Sequence, residues 1–262
     1  MVDEENSQER MPLTSHLEEL RKRLLVSIVA VGIALAVTFN QSHFILQLVQ
    51  APLNMTYVFE RVPPYVQVKT RPEPLTLYFH TPTEPFWTHL KLAFFAALFL
   101  ATPVILFEVW RFIAPGLLPG ERRWALPFVS LSTLFFALGL AFCYKVVLPF
   151  ALNFLVSFDE NLKPILTVGE YVDFCVKFLL AFGLIFELPL AITLLARMGL
   201  TTPQFLARNR KFAVLLAFIV AAILTPTPDI FNQVLMAGPL LLLYEIGIIS
   251  ARLFGRRKPA EG

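Results

Sequence analysis

Glu187, in Phe186-Glu187-Leu188-Pro189, puts a carboxyl group in the middle of a long apolar run. An ionisable side chain there costs about 2.5 to 3.5 kcal/mol on insertion scales for Arg, Lys or Asp, so such groups face protein or water. Two roles follow for Glu187. It is either a protonated or hydrogen-bonded group beside the carbonyl that Pro189 leaves free, or a polar floor for an inserted substrate or partner helix, or a proton site. Glu245 lies nearer the end of its run, where an ion pair with Arg252 or a loop cation suits it. Gln233, one turn after Asp229, has a donor and an acceptor with which to join helices or a partner. Two more charged groups flank apolar runs. Thr14-Ser15-His16-Leu17-Glu18-Glu19-Leu20-Arg21-Lys22-Arg23 reads as an N-capped amphipathic helix with its basic cluster at a membrane surface. Trp110 to Arg123 is a short loop punctuated twice by Pro-Gly, with Glu121 beside Arg122 and Arg123.

The composition requires a bilayer around these groups. Hydrophobic residues make up 56% of the 262 before the 11 glycines are counted, against roughly 45 to 50% with glycine in soluble chains. Charged residues are 16%, where about 25% is usual, and the mean hydropathy is +0.66. No HExxH, GxSxG or phosphate-binding loop is present, so no enzymatic activity is expected. Cys143 and Cys175 stand without CxxC spacing and read as small core residues, and no metal or cofactor is expected. A net charge of +3 is too small to suggest a nucleic-acid binder. No small-residue site closely follows the first apolar run, so a cleaved leader is not expected.

An all-α membrane protein with six spans is therefore expected, at about residues 24–46, 86–112, 124–145, 170–197, 211–224 and 230–253. Fifteen of the 22 Lys and Arg residues fall in one alternating set of segments, which puts both termini in the cytoplasm. Residues 47–85 form an outer cap with short extended or hairpin pieces. Residues 147–167 begin amphipathically and suit a helix lying on the outer membrane surface, and 254–262 form a cytoplasmic tail. Pro103 and Pro189 should kink or tilt the second and fourth helices. The fifth has about thirteen apolar residues between Lys211 and Thr225, roughly 20 Å of helix against a core of about 30 Å. The bilayer beside it is expected to thin, or water to dip in.

The pieces His16 to Arg23, Ala101 to Pro115 followed by Glu121-Arg122-Arg123, Phe182-Gly183 with Phe186-Glu187-Leu188-Pro189, and Leu224-Thr225-Pro226 with Pro228 to Gln233 occur in order on these spans. In them the chain resembles the TatC family of the twin-arginine protein translocase, over nearly its whole length. The resemblance implies a concave, glove-like six-helix receptor of the bacterial cytoplasmic membrane for the Arg-Arg pair of signal peptides that export folded proteins. By motif position it implies that Glu19 and Glu121 receive the two guanidinium groups and that Arg21, Arg23 and Phe112 complete the surface. Glu187 would be the buried polar site, and Gln233 and Asp229, with helices five and six, would contact single-span TatA- and TatB-type subunits. Other copies of the chain and membrane lipid are further implied partners, and the transmembrane proton gradient the energy source. Physically, carboxylates accept bidentate guanidinium hydrogen bonds that Lys cannot match. The apolar part of the signal would lie along the concave face. The competing reading is a proton-coupled secondary transporter using Glu187, although no inverted repeat is visible.

Overall fold

The computed structural model describes residues 13–59, 66–71, 74–113, 125–159, 164–224 and 229–255. Glu121 lies outside them, as do the side chain of His16 and the Thr225 to Pro228 turn. Among the described residues, five helical segments are long and apolar enough to cross a membrane: Leu17–Asn40, Glu84–Ile113, Leu126–Val156, Val168–Arg197 and Ile230–Phe254.

Helix α1 (Leu13–Asn40) takes in both the expected amphipathic helix and the first apolar run. Thr14 is thus inside the helix rather than at its cap. The run does not continue to residue 46 as one helix. It breaks at Gln41, and α2 (Ser42–Gln50) follows, leading into a 3-10 turn at Ala51–Asn54. Strands β1 (Met55–Phe59) and β2 (Val66–Thr70) pair antiparallel with Tyr57 opposite Val68, which makes the expected cap a hairpin. Asn54 anchors it: its carbonyl accepts from Arg71 N–H and its side-chain oxygen from Leu75 N–H. A third short strand, β3 (Leu77–Tyr78), runs parallel to β4 (Leu166–Thr167) and ties the cap to the start of the fourth crossing.

Helix α3 (Glu84–Ile113) runs unbroken through Pro103 for 30 residues, roughly 45 Å, well beyond the hydrocarbon thickness. It lies along α1. Small residues Ala34, Ala97 and Ala101 bring the two together, and Thr38 Oγ1 donates across the seam to the Ala93 carbonyl at 2.8 Å.

Helix α4 (Ala125–Phe142) passes through a widened π-turn (Cys143–Val147) directly into α5 (Leu148–Val156). The piece expected to lie on the membrane surface from residue 147 is therefore a continuation of the third crossing. Its apolar face meets protein: Leu148, Pro149, Ala151 and Leu152 are buried with Val49 and Leu53 beneath the cap. Cys143 and Cys175 are free and fully buried in the same core.

Helix α6 (Val168–Phe186) stops one residue short of Glu187, and α7 (Leu188–Arg197) begins one residue after it. Pro189 is the reason: without an N–H it cannot close the α-helical bond to Ile185. Glu187 N–H bonds instead to Leu184 at 3.1 Å, and the Glu187 carbonyl starts α7 by accepting from Ala191 at 2.9 Å. Glycines let α4 and α6 approach. A Cβ on Gly139 would lie 2.5 Å from the Phe182 carbonyl oxygen, and one on Gly183 would lie 2.6 Å from the Phe136 ring. A short helix α8 (Pro203–Arg208), capped by Thr202, then turns the chain into α9 (Arg210–Leu224). At 15 residues α9 is as short as expected. It packs on α10 (Ile230–Phe254), whose first turn Asp229 caps through Asn232 N–H at 2.7 Å.

Candidate functional site: the Glu19 cluster and the Glu187 pocket

Glu19 and Arg23 stand one turn apart on α1, which puts them on the same face. Arg23 Nη2 donates to Glu19 Oε1 at 3.0 Å, while Nη1 of the same guanidinium donates to Glu108 Oε2 at 3.1 Å. Glu108 is on the last two turns of α3, so one arginine bridges α1 and α3. The two carboxylates differ in access: the Glu19 side chain is 22% exposed and that of Glu108 only 7%. Arg21 is exposed, two residues from Glu19 and from Arg23 and so off the face they share, and Phe112 is half-buried one turn beyond Glu108. Arg111 lies over the Phe107 ring at 5.5 Å. The structure thus brings together Glu19 and Arg23 with Phe112 close along α3, and adds Glu108, which the sequence pattern marks only as the end of an apolar run. A signal for it is present in the residue types: an acidic residue on an apolar helix calls for a cation, and Arg23 is one of those within reach of a neighbouring helix.

The Glu187 centre is separate. Ser132 on α4 donates a hydrogen bond to Glu187 Oε2. Glu187 Oε1 is buried without a partner among the described residues, and so is Trp110 Nε1. Both residues line one apolar cavity of about 200 Å³ with Ser132, Phe128 and Leu194, between α3, α4 and α7. Trp110 stacks on Phe128 with ring centroids 4.3 Å apart, closing one wall. Of the two roles open for Glu187, the structure provides the hydrogen bond, from a serine rather than from the proline kink, and leaves one oxygen available.

Three other polar groups on the membrane helices have partners among the described residues. Lys91 on α3 forms an ion pair with Asp173 on α6. The cation that Glu245 takes is Arg210, by two bonds of 2.6 and 2.7 Å, and not Arg252. Gln233 Nε2 donates to the Phe218 carbonyl at 3.1 Å, so its amide joins α10 to α9 inside the chain.

A family model described as "Sec-independent protein translocase protein (TatC)" matches residues 15–239. The chain belongs to the TatC family. It is 40% identical to the Sec-independent protein translocase protein TatC of Desulforapulum autotrophicum over 97% of this chain and 89% of the relative. With that of Aquifex aeolicus the identity is 40%, over 95% and 98%, and with that of Escherichia coli K12 it is 39%, over 94% and 90%. A solved structure described as "Crystal Structure of Twin Arginine Translocase Receptor- TatC" superposes with a TM-score of 0.75 at 36% identity, covering 92% of this chain and all of that one. A second, in DDM, gives 0.75 at 37%. This TatC-family chain is a multi-pass protein of the bacterial inner membrane and a component of the Sec-independent protein translocase, which is not an enzyme. As part of a translocase it works with protein partners.

Proposed function

We propose that this chain is the receptor subunit that binds Arg-Arg signal peptides of folded proteins at the cytoplasmic face and nucleates assembly of the translocase. The observation that carries the reading is Glu19: a carboxylate on a membrane-flanking helix, partly exposed and, among the described residues, held by a single bond from Arg23. An ionised carboxylate so presented suits a guanidinium, whose planar fork fits both oxygens. Glu121, which follows α3 in the sequence, is the second acceptor, and Arg21, Arg23 and Phe112 complete the surface.

The chain crosses six times with α9 as the short fifth span, both termini are cytoplasmic, and the bundle is a concave glove for the apolar part of the signal. The single-span TatA- and TatB-type partners dock on α9 and α10, the hairpin that Asp229 and Gln233 organise, alongside further copies of the chain. Glu187 is the buried polar site within the bundle. Energy comes from the transmembrane proton gradient.

An export assay in membranes tests this. Glu19→Gln or Glu121→Gln should stop export of an Arg-Arg cargo while the chain remains at normal abundance. Undiminished export by both variants would remove the receptor reading.

A further inference from the structure

Arg23 is already a guanidinium on Glu19. A signal-peptide arginine therefore meets an acceptor whose charge is matched by a side chain from its own helix, 3.0 Å away. With Glu19 and Arg23 alone the cluster would be neutral, and a second cation would be opposed by the first. Glu108 changes the sum. Two carboxylates and one arginine leave one net negative charge, which is what one incoming guanidinium neutralises.

The geometry fits an exchange. Arg23 spends one nitrogen on each carboxylate rather than gripping either with both, and its Nε is buried without a partner among the described residues. Glu19 Oε2 takes no hydrogen bond among the described residues. Glu108 is nearly closed off from solvent, so a peptide does not reach it, whereas Arg23 already does. Nor is the bridge needed to hold α1 on α3, since the Ala34, Ala97 and Ala101 seam and the Thr38 bond to Ala93 do that.

We propose that Glu108 is a positioning residue for signal binding: it retains Arg23 when a signal-peptide guanidinium takes Glu19, and so keeps the site one charge negative. The proposal rests on the receptor reading and adds to it a residue that does not touch the peptide. A simple α1 to α3 pin is the rival, and the two differ in what rescue does.

The test is the affinity of the purified full-length chain in detergent for an Arg-Arg signal peptide, in wild type, Glu19→Gln, Glu108→Gln and the double variant Glu108→Gln/Arg23→Gln. Glu108→Gln should weaken binding about tenfold or more, the scale of a lost charged hydrogen bond. The double variant leaves Glu19 alone with one negative charge and should bind at least about threefold more tightly than Glu108→Gln, while staying weaker than wild type because Arg23 also shapes the surface. Wild-type binding by Glu108→Gln, or a double variant as weak as Glu108→Gln, overturns the proposal. Should Glu108→Gln not fold, the double variant alone decides, since binding as weak as that of Glu19→Gln contradicts it. Wild-type binding by Glu19→Gln would instead remove the receptor reading beneath it.

Discussion

Ser132 donates its hydroxyl hydrogen to Glu187 across the seam between α4 and α6, at the residue where the fourth crossing breaks. The other Glu187 oxygen is buried without a partner among the described residues. Ser132→Ala should therefore destabilise the chain by about 1 to 3 kcal/mol, because it strands a buried polar group. Ser132→Ala/Glu187→Leu should cost less than the sum of the single changes, since apolar groups then replace both partners. Thermal unfolding in detergent reads both, and strict additivity would show that the bond carries no coupling.

The approach of α4 to α6 makes a second expectation. Gly139→Ala brings a methyl to 2.5 Å from a backbone oxygen, at Phe182, which cannot move without shifting the helix. Gly183→Ala meets the far edge of the Phe136 ring at 2.6 Å, which can turn aside. Overpacking costs about 1 to 3 kcal/mol, and the Gly139 variant should lie at the upper end with Gly183→Ala clearly milder. The same unfolding measurement orders them, and a reversed order would contradict a seam set by backbone contact at Gly139.

Gln233 gives a third. Its amide bond to the Phe218 carbonyl ties α9 to α10, and side-chain bonds between membrane helices average about 0.6 kcal/mol with a maximum near 1.7. Gln233→Leu should lower stability within that range. If partner docking needs the hairpin in this arrangement, co-purification of a single-span subunit should fall more than stability does. A loss of stability with co-purification unchanged would limit Gln233 to internal packing.

Much of the fold is legible from the residues because a bilayer leaves few options: long uncharged runs become helices, and Pro189 has to interrupt one. The short α9 and the hairpin cap can be read in the same way. What escapes is long-range. Glu108 and Arg23 are 85 positions apart, and Lys91 and Asp173 are 82 apart. Local pattern assigns each a charge and not a partner. Residues 148–156 mislead for a related reason. An apolar helix face looks alike whether it lies on lipid or on Val49 and Leu53, and here it lies on protein. Glu245 shows that it needs a cation, but the choice of Arg210 over Arg252 depends on how α8 delivers α9 to α10.

The most direct test of the receptor reading compares the affinity of the purified chain for an Arg-Arg signal peptide with that for the same peptide carrying Lys-Lys, in wild type and in Glu19→Ala and Glu121→Ala. A receptor built on these carboxylates should lose about 1.5 to 3 kcal/mol on the Lys-Lys exchange or on either substitution, the worth of a charged hydrogen bond, or roughly 10- to 150-fold in Kd. Equal affinity for both peptides, unchanged by the substitutions, would contradict it.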